Sequence, residues 1–183
     1  MFTTDFIAYA DSSRKKVVAV VKFHAFSKMD KSLKDRFQHL SHHPVAQSKF
    51  QNPNESNAHT YAGKMFSLDG FTCHLSFTWD NFANKSHTDN DASSWTFVTW
   101  LPMDKKNENL IKTPLDVCGG EFVLPKLGFG IDFSGFKGVV ECVWKATTWA
   151  HLTLPSSSPA ESVHTQCGYS CQLPEKLETL CRR

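Results

Sequence analysis

From Phe71 the chain alternates. Phe71, Cys73, Leu75, Phe77 and Trp79 are apolar, and Thr72, His74, Ser76 and Thr78 between them are polar. A period of two predicts a strand with one buried and one polar face. The signal recurs in "WTFVTWLP", "GGEFVLP", "GFGIDFS", "GVVECVW", "AHLTLP" and "GYSCQL", with Gly or Pro at the boundaries. The predicted strands include Phe71–Trp79, Trp95–Trp100, Glu121–Leu124, Val139–Trp144, His151–Leu154 and Tyr169–Leu173. Upstream, "KVVAVVKFH" over Lys16–His24 is short, β-branched and strand-like. Ser27-Lys28-Met29-Asp30 reads as a helix start, with the Ser27 oxygen accepting from the Asp30 amide. Leu33, Phe37 and Leu40 then repeat at helical spacing, and the helix is expected to stop near Ser41-His42-His43-Pro44. Residues 44–60 are polar and rich in Asn, Ser and Pro, hence a loop. Ser156-Ser157-Ser158-Pro159 is a short flexible loop, too small to link domains. No internal repeat is present. Short strands spaced by turns, with one helix in front, predict a β-sandwich or jelly roll.

Composition sets outer bounds. A chain of 183 residues, 40% hydrophobic with 15 Phe, can bury a sizeable core as one domain. The net charge of +2 is far from that of a dedicated nucleic-acid coat, and it neither demands nor excludes nucleic acid. The longest apolar run near the start, Val17 to Val21, is too short to cross a bilayer, so no membrane partner is expected. "MFTTDFIAYADSS" lacks the charged and apolar regions of a signal peptide. The six cysteines, Cys73, Cys118, Cys142, Cys167, Cys171 and Cys181, include no C-x-x-C pair. Reduced thiols inside a cell, mostly acting as small core residues, are the expectation.

One polar stretch carries candidate chemistry. In "KSHTDND", His87 and Asp89 are two apart, and an extended backbone points both to one face. An imidazole and a carboxylate suit a borderline metal. His151 in "WAHLTLP" can supply a third ligand, since Trp149, His151 and Thr153 share a face of the late strand. Two His and one carboxylate with open positions make the facial triad of non-haem Fe(II) oxygenases. A solvated turn also explains H-x-D by itself. What favours the triad is order: H-x-D falls between two strands, and His151 lies several strands later, where a jelly roll can bring it back.

The resemblance follows from these residues in order. "NFANKSHTDND", "WTFVTWLP", "GGEFVLPKLGFGIDFSGFKGVVECVWKATTWAHLTLP" and "HTQCGYSCQL" resemble the fungal Tet-like 2-oxoglutarate/Fe(II) dioxygenases, within the broader Tet/JBP group of nucleic-acid-modifying oxygenases. The likeness runs from about Phe71 to the C-terminus and, more loosely, through "KVVAVVKF" and the helix after it. It implies a mainly β (α+β) double-stranded β-helix with an N-terminal strand and one or two helices packed against it. It implies a single domain over 1–183, with the N-terminal strand, helix and loop in 1–60 and the β-helix core in 71–183. It implies Fe(II) held by His87, Asp89 and His151, with 2-oxoglutarate and molecular oxygen as co-reactants. The implied activity is oxidation of a methylated nucleobase such as 5-methylcytosine, in DNA rather than RNA, by an intracellular and possibly nuclear protein. The base would have to leave a duplex to reach the iron.

Two positions depart from the family. Its T-R-x-G step supplies an Arg for the distal carboxylate of 2-oxoglutarate; here Thr165-Gln166-Cys167-Gly168 occupies that step. Gln166 has neutral donors and cannot form the charged fork of an Arg. His164, Arg182 or Arg183 are substitutes that no spacing supports. Gln166 should sit on a strand neighbouring His151 and face the metal cavity. The second departure is length. Gly63-Lys64-Met65 is followed within ten residues by His74-Leu75-Ser76-Phe77-Thr78, where the family carries a long helical stretch. These departures keep a second class open, a catalytically silent β-helix domain that binds metal or nucleic acid without turnover. A zinc hydrolase would use the same ligands, but no separate general base is identifiable.

Other groups have plainer readings. His39, His42 and His43 suit the dipole at a solvated helix end. His74 falls on the polar face of its strand. Cys167, Cys171 and Cys181 read as core or edge thiols. Asn90 and Asp91 read as a self-capping turn, with Asp91 as a minor ligand alternative. Arg14-Lys15-Lys16 is too short for a nuclear signal or a nucleic-acid patch.

Overall fold

The computed structural model describes residues 6–42, 58–61 and 74–172. The expectations for His43, Pro44, Gly63-Lys64-Met65, the start of the strand at Phe71, Cys73, Leu173, Cys181, Arg182 and Arg183 lie outside the described residues. The strands are β1 (Phe6–Ala10), β2 (Val17–Ala25), β3 (Ala58–Tyr61), β4 (His74–Thr78), β5 (Thr96–Asp104), β6 (Cys118–Gly119), β7 (Phe122–Leu124), β8 (Phe129–Ile131), β9 (Gly138–Trp144), β10 (Leu152–Thr153), β11 (Ser156–Ser157) and β12 (His164–Gln172). One helix, α1 (Lys31–Ser41), follows β2.

The major sheet has the order β1-β2-β9-β5-β12-β4-β3, and the minor sheet the order β10-β7-β8. All their neighbouring strands are antiparallel. Apart from the β1–β2, β3–β4 and β7–β8 hairpins, strands that pair are far apart in sequence, as β12 is from both β4 and β5, and the chain crosses between the sheets from β5 to β7, from β8 to β9 and from β9 to β10. This is the winding of a jelly roll, a mainly β double-stranded β-helix.

Central strands are buried on both sides, which is why their sequences do not alternate cleanly. In β5, Val98 and Trp100 face inward with Val140, Cys142 and Trp144 of β9, against Phe122, Leu124, Ile131 and Phe133 of the minor-sheet side. On the outer face Leu101 and Met103 join Val139, Cys167 and Tyr169 beneath Phe37 of α1. The inner core is strongly aromatic: the Trp100–Phe122 and Phe122–Trp144 ring centroids lie 5.1 and 4.9 Å apart. At the far edge Tyr9 of β1 stacks on Phe129 of β8, with centroids 3.6 Å apart, and ties the first strand to the minor sheet.

Four expectations change. The helix starts at Lys31, and its cap is Asp30, whose Oδ1 accepts from the Leu33 N–H at 2.8 Å. Ser27 instead lies in the turn closed by the Lys28 N–H on the Ala25 carbonyl. The polar loop ends before Thr60, because residues 58–61 pair with β4. Ser156 and Ser157 form a short ladder with Gly119 and Cys118, because the chain leaving β10 passes directly beside that segment. The strand β1 carried no clear period and was not expected.

Phe122 holds the two sheets together at the aromatic centre. Phe122→Ala is expected to lower stability by roughly 3–5 kcal/mol, read from chemical denaturation of both proteins.

Candidate metal centre

His87 and His151 are directly opposed in an antiparallel bridge. The His87 N–H donates to the His151 carbonyl at 3.1 Å, and the His151 N–H donates back at 2.9 Å. Residues that exchange both backbone bonds send their side chains to the same face. The two rings accordingly meet with centroids 4.4 Å apart. The arm is held on either side of this pair. The Asp89 N–H donates to the Ala146 carbonyl, the Asn84 N–H to the Thr153 carbonyl, and the Thr153 N–H to Asn84 Oδ1 at 2.7 Å.

The three side chains converge. Asp89 Oδ1 lies 3.5 Å from His87 Nε2 and 3.7 Å from His151 Nε2, and one donor from each residue falls within 4.8 Å of the others. Donors bound to one ion at about 2.1 Å are themselves about 3–3.5 Å apart, so little closure is needed. Both rings are also set in the right tautomer. His87 Nδ1 faces the Lys85 carbonyl at 2.9 Å, and His151 Nδ1 faces the Trp149 carbonyl at 3.3 Å. A carbonyl only accepts, so each Nδ1 carries the proton and each Nε2 presents a lone pair. Backbone acceptors behind metal-binding imidazoles do the same work.

Burial grades across the site. The side chains of His151 and Asp89 are 7% and 10% exposed, and that of His87 is 43% exposed. The centre has a closed floor and an open side. Trp144 and Phe122 form the floor, with ring centroids 5.0 and 5.7 Å from that of His151. Burial, reinforced by the nearby His87 and partly opposed by the Trp149 carbonyl, pushes His151 down to about 4. Its imidazole is therefore neutral at physiological pH.

No other cluster of three His, Cys, Asp or Glu among the described residues shares this geometry. His39 is exposed at the helix end, and His42 Nε2 contacts Gln38. Asp91 accepts from Thr96 Oγ1 at 3.4 Å and is not one of the three converging donors. Cys142 and Cys167 are buried free thiols, and burial pushes Cys167 up to about 12. Sequence pattern missed the floor and the arm's anchor. Trp144 and Phe122 read only as strand residues, and nothing local marked Asn84 as a backbone clamp.

Gln166 is not on a strand beside His151. It lies on β12, opposite Pro102 of β5, whereas β10 belongs to the minor sheet. The winding that brings His151 to His87 makes these two strands face each other rather than pair. The Gln166 Nε2 is buried without a partner among the described residues. It lines a cavity of about 20 Å³ with Asn81, Trp100, Gly120, Thr153 and Ser156.

Residues 67–156 match the family model of the Tet-like 2OG-Fe(II) oxygenase superfamily. The matched segment, just under half of the chain, contains all three converging donors and stops before β12. Among solved structures the chain is similar to an oxidoreductase of the 2OG-Fe(II) oxygenase family from Burkholderia pseudomallei, at 12% identity over 91% of this chain and 71% of that one, with a TM-score of 0.35. It is also similar to a prolyl-4-hydroxylase from Pseudomonas putida, at 9% identity over 86% of this chain and 72% of that one, with a TM-score of 0.30. No curated protein matches.

The cofactors that go with the matched family and this donor set are Fe(II) and 2-oxoglutarate. The metal half fits directly, with two imidazole Nε2 atoms and one carboxylate oxygen on one side and the exposed side of His87 on the other. For the oxo acid, the chain offers neutral donors near Gln166. Anaerobic titration with Fe(II) or Co(II) is expected to show one site per chain. Asp89→Ala and His151→Ala should each weaken it by more than about a hundredfold, since outer partners of metal ligands alone are worth about 10–100-fold. Asp91→Asn should leave it unchanged.

Proposed function

We propose that the protein is an Fe(II)- and 2-oxoglutarate-dependent dioxygenase of the fungal Tet-like kind, oxidising a methylated base such as 5-methylcytosine in DNA. The observation that carries this reading is the convergence of His87 Nε2, Asp89 Oδ1 and His151 Nε2 inside the segment that matches the Tet-like model. Bound Fe(II) with the oxo acid and oxygen would supply the oxidation of an unactivated C–H bond. The chain's residues do the rest. His151 and Asp89 hold the buried side of the metal, and His87 completes the set from the open side. The Trp144 and Phe122 rings keep water from the floor, and the carbonyls of Lys85 and Trp149 fix the ring tautomers.

The surroundings of the open side favour a nucleic-acid substrate. Lys145 precedes the residue whose carbonyl holds Asp89, and its Nζ lies 5.3 Å from the ring centroid of Trp95. Trp95 is 38% exposed and adjoins Thr96, which donates to Asp91. A cation and a partly exposed aromatic ring, tied through Ala146 and Asp91 to the arm that carries Asp89, suit a phosphate and a base drawn out of a duplex. A silent metal-binding domain is the second reading, favoured by the neutral Gln166 where the family has an Arg. Incubation with Fe(II), 2-oxoglutarate and duplex DNA carrying 5-methylcytosine is expected to yield oxidised base and succinate by mass spectrometry. His87→Ala should yield neither. Full metal binding with no succinate from any methylated DNA or RNA would select the silent reading.

A further inference from the structure

The Gln166 cavity adjoins the chain segment that carries His151. Thr153 lines it and follows His151 by two residues, so both side chains share a face of the extended chain, about 7 Å apart along it. The cavity admits a water-sized group, enough for the end of a chain but not for a whole cosubstrate. Its polar groups among the described residues are uncharged. Gln166 Nε2 and Thr165 Oγ1 are buried with no partner among the described residues, and Ser156 Oγ donates to Asn81 Oδ1 at 3.3 Å. No Lys or Arg is among its described lining residues. Gly120, at φ +77°, keeps the wall open, since a Cβ there would lie 3.0 Å from that of Ser156 and 3.7 Å from Gln166 Oε1.

A carboxylate buried here would meet donors but no cation among the described residues, and would face the Gln166 Oε1 dipole. Burying an ion without a counter-charge is costly, whereas a neutral acceptor pairs with Nε2 at little cost. We infer that this cavity holds the distal end of the oxo acid through uncharged hydrogen bonds, so that the site takes a neutral-ended 2-oxo acid at least as readily as 2-oxoglutarate. The inference rests on the oxygenase reading and narrows its cosubstrate class.

The test uses 2-oxoglutarate and 2,5-dioxohexanoate, in which a methyl ketone of the same shape replaces the distal carboxylate. Each is titrated anaerobically into the Fe(II)-loaded full chain, and affinity is read from the absorption band of the chelated oxo acid. Thermal unfolding confirms that each variant is folded. In the natural protein the ketone should bind at least as tightly as 2-oxoglutarate, with little dependence on salt. In Gln166→Arg, 2-oxoglutarate should gain roughly ten- to a hundredfold and the ketone nothing. In Gln166→Leu the ketone should weaken by about fivefold, one neutral hydrogen bond. A tenfold or greater preference of the natural protein for 2-oxoglutarate, or indifference to both substitutions, overturns the inference and leaves the oxygenase reading standing. Metal binding with no chelate band from either acid sinks both.

Discussion

Two backbone hydrogen bonds between His87 and His151 organise this molecule's chemistry. They join residues 64 positions apart in the chain. Because the residues are directly opposed, the side chains have no choice of face, and both imidazoles project toward Asp89. The ligand geometry is thus a property of strand register. A slip of one residue on either strand would turn one imidazole to the other side. The aromatic core enforces that register. Trp144 and Phe122 fill the space under His151, and Phe122 also touches Trp100 of the major sheet.

Much of this was legible in the residues. The strand series from residue 74 onward follows from period-two patterning and Gly/Pro punctuation, and the H-x-D step stood out as a polar break between strands. His151 could be chosen because a jelly roll returns a late strand to an early one. What was not legible depended on through-space packing. Ser27 and Asp30 are both good capping types, and only the position of the Leu33 amide decides between them. Ser156 and Ser157 have the composition of a loop, and they form a ladder only because Gly119 and Cys118 pass beside them. Gln166 was assigned to the wrong neighbour because sequence order near a site does not say which sheet a strand joins.

The centre combines a rigid side with an open one. Asp89 and His151 sit in a low-dielectric wall, where the attraction between a carboxylate and a bound dication is strong. Metal held there only in the folded state should stabilise the fold as well as equip it. His87, nearer to solvent, is the ligand best placed to adjust as an ion enters.

The stacking of Tyr9 on Phe129 has a consequence for how the chain is made. Through β1 and β2, strands made early in this domain end up against β8 and β9, which are made much later. β2 pairs on one side with β1 and on the other with β9, which lies roughly 120 residues downstream. At about 5–20 residues per second, β2 waits on the order of ten seconds for that partner. During the interval its Val-rich edge is bare, and Phe6 and Val17 remain exposed even in the finished fold. A lone two-stranded hairpin is marginal in water, so the nascent N-terminal part should depend on chaperones for yield more than the stability of the completed barrel would suggest.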